Sequence, residues 1–441
     1  VFAPGAFSAI AKASSDPMEV IIFDEDTVDD KGVHMLPRFK GPLNKQLEYT
    51  ENWIGYGAFF PTELVANAVP HNATSPSLAA YSVALKAIEW RLPFASVPHV
   101  LLSTPTKTPD KQANPANTFS PSEVDAAKKI LSTHLHAIGA YSAVEDGFLD
   151  GTLRISLASD YDPGKVSIVI PTIDHSDMLE RCVSSLLNVA TYKSLEIILV
   201  ENNSREDETF ALYDRLQHEN PGIVKVIKWQ GGFNYSAIVN FGAAASTGKF
   251  LLLLNNDTEV IVPGFIEEML ALATIPEVGV VGAKLYFKDM LVQHAGMLIG
   301  PYGGISHANQ NFSDIRPGYQ NRALTQCSFS SVTGACQMMR REVFEEVGGY
   351  DETFMVGFND ADFCLKVRAA GYDVVFTPYA ELYHYEFVSR GREAVDDEKQ
   401  ARWESERDAF FAKWREELKG GDPLTSPNLD KDNWYYALPS K

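Results

Sequence analysis

The sequence is poor in cysteine and in basic residues, and each deficit argues against a class of protein. Four cysteines occur in 441 residues and none forms a CxxC pair, so we expect buried thiols in a reducing compartment rather than a disulfide scaffold. Lys and Arg together number 38 against 58 Asp and Glu, which gives a formal net charge of -20. Broad binding to nucleic acid or to anionic lipid needs a basic surface, so neither is expected as a partner.

Long apolar runs are also missing. No stretch reaches the roughly 18 to 20 apolar residues that cross a bilayer, and the N-terminus has neither the basic nor the apolar region of a signal peptide. With 45% hydrophobic residues, the chain is long enough to bury two cores. We therefore expect a cytoplasmic protein of two domains.

From residue 165 onward, short apolar strands alternate with amphipathic helices. The strands read KVSIVIPT, SLEIILVE, VKVIKW and FLLLLNND, and helices such as SDMLERCVSSLLNV lie between them. This alternation predicts right-handed βαβ units and a doubly wound, Rossmann-like α/β sheet. Ligands bind outside the carboxyl ends of such strands, so the loops after Ile170, Val200 and Leu254 should converge on one site.

The stretch LLLLNNDTEV at 251–260 marks that site most clearly. An unbroken apolar run suits a strand buried on both faces, and Asn255, Asn256 and Asp257 follow it directly; an ordinary polar turn is the alternative. The converging loops contain neither GxGxxG nor GxxxxGK[ST]. A nucleotide here would instead be held through a carboxylate-bound divalent metal, since Mg²⁺ and Mn²⁺ prefer oxygen ligands and bridge phosphates.

An ordered series of motifs resembles the family 2 glycosyltransferases, which are inverting enzymes with a GT-A fold. It includes VSIVIPT, VENNS, LLLLNNDTEV, VTGACQMMRR, VGGYDE, NDADFCLKV and TPYAELYHYE, and the match covers roughly 165–430. The bacterial subgroup that builds O-antigen and other surface polysaccharides, with rhamnosyltransferases among its members, is the most similar. The resemblance implies a UDP- or dTDP-sugar donor and a glycan acceptor, free or lipid-linked, the latter met at the inner face of the membrane.

The resemblance also implies a role for individual residues. Asp257, the last acid of a DxD-type motif whose first acid is Asn255 here, would hold Mn²⁺ or Mg²⁺ with His384, and Asp360 would be the catalytic base. The residues implied to bind the nucleotide are Pro171, Thr172, Asp174, Glu201, Asn203, Asn234, Asn240 and Asn256. Those that would contact the diphosphate or the acceptor are Asp362, Arg390, Arg392 and His294.

Several of these residues also fit plain structural roles. Asp362 could simply cap a helix, because Asp favours the first turn. His384 could be a satisfied core histidine, and Glu201 could be a plain turn residue. His294 could simply pack in the core, and Arg390 and Arg392 could be solvated.

The first part of the chain resembles the later part of another GT-A domain. VIIFDEDTVDD at 20–30 places Asp26 where Asp257 stands, and SLAAYSVALK precedes GFNDADFCLK by 280 residues with Ala80 in place of Asp360. We predict four segments: a partial, degenerate GT-A-like domain at 1–105, a linker and connecting helix at 106–160, the catalytic GT-A domain at 161–392, and a C-terminal helix and tail at 393–441.

Two other functions stay open. A sugar nucleotidyltransferase would use a similar sheet and acidic metal site but would release pyrophosphate, and its basic Gly-rich loop is not evident. The chain could also be a non-catalytic subunit that binds nucleotide-sugar or glycan. Loss of Asp360 or His384 would have supported that function, and both are present.

Overall fold

The computed structural model describes residues 1–68, 75–106, 118–386 and 397–439. An N-terminal unit contains a four-stranded sheet, and a larger unit is built on a ten-stranded sheet. The elements of the N-terminal unit are α1 (Ala6–Ala13), β1 (Val20–Val28), β2 (His34–Arg38), α2 (Lys45–Thr50), β3 (Ala58–Phe59), α3 (Thr62–Ala68), α4 (Pro76–Glu89) and β4 (Phe94–Pro105). The connecting segment contains α5 (Val124–Ala137) and the hairpin of β5 (Ser142–Asp146) and β6 (Leu153–Leu157).

The larger unit begins with alternating strands and helices and ends with longer excursions. Its first half contains β7 (Val166–Thr172), α6 (Ser176–Asn188), β8 (Leu195–Glu201), α7 (Asp207–Glu219), β9 (Val224–Lys228), α8 (Tyr235–Ala244), β10 (Phe250–Leu254), β11 (Thr258–Val260) and α9 (Phe265–Ala273). Its second half contains β12 (Val278–Tyr286), β13 (Val292–His294), β14 (Met297–Ile299), β15 (Ile305–His307), β16 (Cys327–Ser328), β17 (Cys336–Arg340), α10 (Arg341–Glu346), α11 (Asn359–Ala369), β18 (Asp373–His384) and α12 (Asp397–Lys413).

The large sheet is mixed and runs in the order β11-β18-β12-β17-β10-β7-β8-β9. β10, β7, β8 and β9 are parallel, as βαβ units require. β17 is antiparallel to both β10 and β12, and β12 is parallel to β18. The predicted doubly wound α/β sheet of GT-A type is confirmed.

The four leucines of β10 are explained by the two cores that the sheet separates. Leu252 and Leu254 belong to the core on one face, while Leu251 and Leu253 belong to the core on the other. All four side chains are fully buried, since successive side chains of a strand point to opposite faces. The strand must then end in polar residues where it leaves both cores, which places Asn255 at the sheet edge.

The N-terminal unit packs directly on the larger one. Tyr81 and Leu85 of α4 share a core with α5, β6 and β7. Across the same boundary, Trp53 Nε1 donates to Gln320 Oε1 at 2.8 Å and Asn44 Nδ2 donates to the Ser328 carbonyl at 2.8 Å. The N-terminal unit and residues 118–157 are therefore parts of one packed body with the large sheet.

Strand pairing in the N-terminal unit repeats that of the later half of the large sheet. β1 is parallel to β4 and antiparallel to β2 and β3, just as β12 is parallel to β18 and antiparallel to β13 and β17. The register also shifts at a matching place in the two parallel pairs. In β1–β4 the shift comes directly after Phe23 and Val97, and in β12–β18 it comes directly after Ala283 and Thr377. In this register β1 corresponds to β12. Asp257 follows β10 instead, so the predicted equivalence of Asp26 with Asp257 is wrong. Assignment of the repeat to a degenerate transferase domain stays a prediction.

All four cysteines are free and buried, as expected from their scatter. Burial raises the pKa of the Cys182, Cys327 and Cys364 thiols to about 12, and the pKa of Cys336 also rises. These thiols are inert packing groups. None of the described helices combines the length and the apolar character needed to cross a bilayer.

A cluster of buried charges lies in the N-terminal unit. Glu25 pairs with Arg38, while the fully buried Lys40 donates from Nζ to the Ile54 carbonyl at 2.6 Å. Glu48 accepts the Ile54 N–H at 2.7 Å, and burial raises the pKa of Glu48 to about 8 from an ordinary 4.5. The folded state therefore keeps a proton on Glu48 that the unfolded chain releases.

This proton makes stability depend on pH in a defined window. The contribution of Glu48 to the free energy of unfolding is fully present below pH 4.5 and is lost as pH rises towards its folded-state pKa of about 8, by about 1.4 kcal/mol per pH unit. Glu48→Gln keeps an acceptor for the Ile54 N–H and should flatten the decline of the unfolding free energy between pH 5 and 8, measured by urea denaturation. Glu63→Gln, at an exposed position, is the control. Equal slopes for wild type and Glu48→Gln would contradict the raised pKa.

Candidate active site at the carboxyl ends of the strands

Two adjoining cavities open at the carboxyl edge of the large sheet. The larger has a volume of about 370 Å³ and the smaller about 70 Å³. Tyr235, Asn255 and Asp257 line both. Asp360 and His384 line the larger cavity, which we call the cleft. The structure thus brings together the three residues predicted to carry the chemistry.

The pairing of β11 with β18 places Asp257 beside His384. The two strands are antiparallel with Thr258 opposite His384, so the residue before Thr258 reaches the end of β18. Asp257 Oδ1 lies 3.2 Å from His384 Nε2, and both side chains are less than a tenth exposed. Residues 127 positions apart in sequence are therefore fixed in contact by backbone hydrogen bonds.

Gln293 of β13 fixes the orientation and tautomer of His384. The amide Nε2 of Gln293 donates to the His384 carbonyl at 3.3 Å, so its Oε1 is the atom that lies 2.8 Å from His384 Nδ1. A carbonyl oxygen only accepts, so His384 Nδ1 carries a proton. In the neutral ring the lone pair is then on Nε2, which faces Asp257.

A divalent cation fits this arrangement. A carboxylate oxygen and an imidazole lone pair face each other across 3.2 Å, and both are ligand types that Mn²⁺ accepts. Among the described residues no group of three or more His, Cys, Asp or Glu side chains is arranged to hold a metal ion, so a cation held by Asp257 and His384 would take further ligands from phosphate oxygens and water. Asn255, at the position of the first acid in the DxD-type motif, accepts the Tyr235 hydroxyl at 3.1 Å.

Asp360 lies at the first turn of α11 on the wall of the cleft. The helix is entered through Phe358, whose φ of 62° is left-handed. Gly334 N–H donates to Asp360 Oδ2 at 2.9 Å and Ala361 N–H donates to Oδ1 at 2.8 Å. These bonds orient a half-buried carboxylate towards the cleft, where it can accept a proton from a bound hydroxyl.

Asp362 has a different role. It is fully buried, and Trp414 Nε1 donates to its Oδ1 at 2.8 Å while Lys413 Nζ lies 2.7 Å away. Burial raises the pKa of Asp362, against the hydrogen bonds from Lys413 and Trp414. Asp362 ties the C-terminal helix to α11 and does not line the cleft, so the prediction that it contacts diphosphate or acceptor is wrong.

Some of the predicted nucleotide residues line the smaller cavity. Pro171 and Thr172 at the end of β7 and Asn256 after β10 are among them, and Asn256 Nδ2 lies 3.5 Å from Thr172 Oγ1. Ile173 and Phe233, which are more than a third exposed, lie at the same cavity. The cavity therefore offers apolar surface beside amide and hydroxyl groups, as a nucleoside requires.

Five other predicted residues line neither cavity: Asp174, Glu201, Asn203, Asn234 and Asn240. Asn240 donates to the Tyr350 carbonyl and accepts from its N–H, both at 2.9 Å. Asn234 caps α8 by accepting the Ala237 N–H at 3.1 Å. These two asparagines hold α8 and the loop at 350–355 in place, so the structure does not support their predicted nucleotide contact.

The remaining three stabilise loops at the sheet edge. Asp174 Oδ1 accepts the N–H groups of Arg205 at 2.7 Å and Glu206 at 3.0 Å. Glu201 Oε1 accepts the Ser204 N–H at 2.5 Å, and Asn203 Nδ2 donates to the Gly231 carbonyl at 3.1 Å. For Asp174, Glu201 and Asn203 direct contact with a nucleotide stays a prediction.

Of the three remaining predicted residues, one lies in the core and two lie outside the described part of the chain. His294 is fully buried and lines neither cavity. Its Nδ1 lies 2.9 Å from Nδ1 of His307, which does line the cleft. Arg390 and Arg392 lie outside the described residues.

Sequence reasoning missed several residues that the structure places at the site. Tyr235 lines both cavities, while His307 and Trp403 line the cleft. Tyr235 follows a predicted site residue directly, so proximity to Asn234 was the available signal. No local pattern distinguishes His307 or Trp403 from packing residues.

The chain is similar in sequence to known proteins. The family model for Glycosyl transferase family 2 matches residues 167–348. The uncharacterized protein y4gI of Sinorhizobium fredii is 36% identical over 426 residues, which is 96% of this chain and 46% of that protein. The O-antigen biosynthesis protein RfbC of Myxococcus xanthus is 32% identical over 428 residues, 96% of this chain and 32% of that protein.

A third relative is matched by half of the chain. The N-acetylglucosaminyl-diphospho-decaprenol L-rhamnosyltransferase of Mycobacterium tuberculosis is 24% identical over 245 residues, 51% of this chain and 78% of that protein. The chain spans less than half the length of the two relatives that match nearly all of it.

The orientation of His384 by Gln293 can be tested through metal binding. Gln293→Leu removes the acceptor for Nδ1–H, so the affinity for Mn²⁺, titrated calorimetrically in the presence of a nucleoside diphosphate, should fall about 10- to 100-fold. Gln326→Leu is a matched control, because Gln326 is also buried and its amide also makes two hydrogen bonds, both to the Ile155 backbone. Equal losses in the two variants would contradict a specific role for Gln293.

Proposed function

We propose that the chain, whose residues 167–348 match the family model for Glycosyl transferase family 2, moves a hexose from a UDP- or dTDP-sugar to a hydroxyl of a glycan acceptor. The observation that carries the proposal is the single cleft in which Asp257, His384 and Asp360 lie together. The similarity to an O-antigen biosynthesis protein supports a surface polysaccharide of O-antigen type as the product.

The donor would extend across both cavities. The nucleoside lies in the smaller one, between Pro171, Thr172 and Asn256, with its apolar faces against Ile173 and Phe233. The diphosphate then reaches Asp257, which lines both cavities, and the sugar projects into the cleft towards Asp360.

Asp257 and His384 would hold a divalent metal through Oδ1 and Nε2, with Gln293 keeping the lone pair of His384 on Nε2. Such a cation, when bound, neutralises charge that develops on the departing nucleoside diphosphate. Asn255 and the Tyr235 hydroxyl lie beside the same pair and complete the polar lining.

Asp360 is the proposed general base. Its carboxylate, oriented by Gly334 and Ala361 N–H groups, takes the proton of the acceptor hydroxyl as that oxygen bonds to the anomeric carbon. Attack from the face opposite the leaving group inverts the anomeric centre. Phe358 and Trp403 line the cleft with apolar surface, which disfavours water as a competing acceptor.

The acceptor is proposed to be a glycan carried on a lipid diphosphate. The name of the M. tuberculosis relative describes an acceptor of that kind. A transferase acting on such a substrate would meet it at the inner face of the membrane.

Product analysis tests the proposal. The probes are UDP-glucose and dTDP-rhamnose as donors, with N-acetylglucosaminyl-diphospho-decaprenol and octyl glycosides as acceptors. We expect one donor to release nucleoside diphosphate in step with a glycosylated, anomerically inverted acceptor. Asp360→Asn should lower kcat about 10²- to 10⁴-fold while the affinity for the nucleoside diphosphate is unchanged, and Asp408→Asn on the exposed face of α12 is the control. Release of pyrophosphate would indicate a nucleotidyltransferase, and nucleotide binding without turnover would indicate a scaffold.

A further inference from the structure

The hairpin of β14 and β15 forms one side of the cleft. Met297, Ile305 and His307 of this hairpin line it, together with Trp403 of α12. Ile305, His307 and Trp403 are half-buried, whereas Asp257 and His384 are more than nine-tenths buried. The hairpin and Trp403 thus form the rim, and the proposed metal pair forms the deep end.

His307 is linked to the fully buried His294 by a short contact between ring nitrogens. The two Nδ1 atoms lie 2.9 Å apart, and the rings meet nearly edge to face at 87°. Two lone pairs would repel at this distance, as would two N–H groups. One Nδ1 must therefore donate and the other accept.

The backbone decides which ring donates. Gly296 N–H donates to Nε2 of His294 at 3.3 Å, so Nε2 carries the lone pair and, in the neutral ring, Nδ1 carries the proton. Burial keeps His294 neutral by lowering its pKa well below the ordinary value, and burial lowers the pKa of His307 to about 4. His294 Nδ1–H then donates to Nδ1 of His307, which leaves the proton of His307 on Nε2.

The Nε2–H of His307 is directed by this chain of hydrogen bonds. Its other ring nitrogen is occupied by His294, and His307 lines the cleft. Among the described residues no hydrogen-bond partner for Nε2 is present. The cleft therefore contains an oriented donor whose position is set by Gly296 and His294.

We propose that His307 is a specificity-determining residue that donates a hydrogen bond from Nε2–H to an oxygen of the acceptor sugar, with His294 as its positioning residue. The inference rests on the proposed glycosyl transfer. The acceptor is assigned because His307 lines the cleft but not the smaller cavity proposed for the nucleoside, and it lies at the rim over which a growing glycan would enter.

The neighbours of His307 suit a sugar ring. Met297, Ile305 and Trp403 present apolar surface beside the single oriented donor. Specific small-molecule sites combine mostly apolar walls with a few fixed polar groups in this way. A pyranose would place its C–H face on the apolar residues and a hydroxyl or ring oxygen on His307.

The tautomers can be tested in the free protein. Nitrogen NMR of ¹⁵N-histidine-labelled protein at pH 7 should show Nδ1–H for His294 and Nε2–H for His307, assigned by the variants His294→Asn and His307→Gln. His307 protonated on Nδ1 would overturn the proposal irrespective of any activity.

Kinetics with each substrate varied in turn test the role in specificity. His307→Phe should lower kcat/KM for the acceptor about 10- to 100-fold through a raised acceptor KM, while the donor KM and the affinity for nucleoside diphosphate stay unchanged. His307→Gln offers an amide N–H near the position of Nε2 and should recover part of the loss.

The role of His307 and the proposed function are contradicted by different results. If wild type transfers sugar but His307→Phe changes the donor KM, or changes neither KM, the role of His307 is wrong and the proposed function stands. If wild type binds nucleotide without transfer to any acceptor, the proposed function itself is wrong.

Discussion

The antiparallel pairing of β11 with β18 is the constraint on which the candidate site depends. β10 is buried on both faces, so the chain can become polar only at its end, and the next three residues carry it to β11. Because Thr258 pairs with His384, Asp257 is delivered to the end of β18 by backbone hydrogen bonds. A shift of one residue in this register would turn the carboxylate or the imidazole away from the cleft.

Polar groups outside the cleft then fix the groups inside it. Gln293 sets the tautomer of His384, Gly334 orients Asp360, and the Gly296 N–H acts on His307 through His294. Each supporting bond is buried or partly buried, where an unmade hydrogen bond costs about 1–3 kcal/mol. The site is therefore preorganised by the packing of β13, β14 and the loop before β17, which lie outside the βαβ half that resembles a nucleotide-binding sheet.

Much of this site could be predicted from the sequence. The alternation of strands and helices located the sheet, and polar residues at strand ends located Thr172, Asn256 and Asp257, because those positions follow from strand direction alone. Asp360 and His384 came from the family resemblance, and the structure places both in the cleft. The choice between Asp360 and Asp362 was also accessible, since positions two apart on a helix point about 200° apart and only one of them can face the cleft.

Other residues could not be assigned, because their roles depend on distant contacts. Asn240 bonds to Tyr350, and His307 depends on a contact with His294 and on a hairpin that no short motif specifies. The equivalence of Asp26 with Asp257 failed because similar letters stand at the ends of strands with different partners. The two halves of an internal repeat correspond when their strands pair in the same way. Similarity over a segment of about ten residues does not reveal which strands pair.

The role proposed for Asp257 and His384 is to bind a nucleoside diphosphate through a divalent cation at the edge of the large sheet. Calorimetric titration of UDP, dTDP and GDP, each with and without Mn²⁺, into wild type and Asp257→Asn tests it most directly. We expect that one nucleotide binds tightly only with Mn²⁺ and that Asp257→Asn weakens that binding while the protein stays folded. Binding that is independent of Mn²⁺ and of Asp257, or no binding by a folded protein, would contradict it.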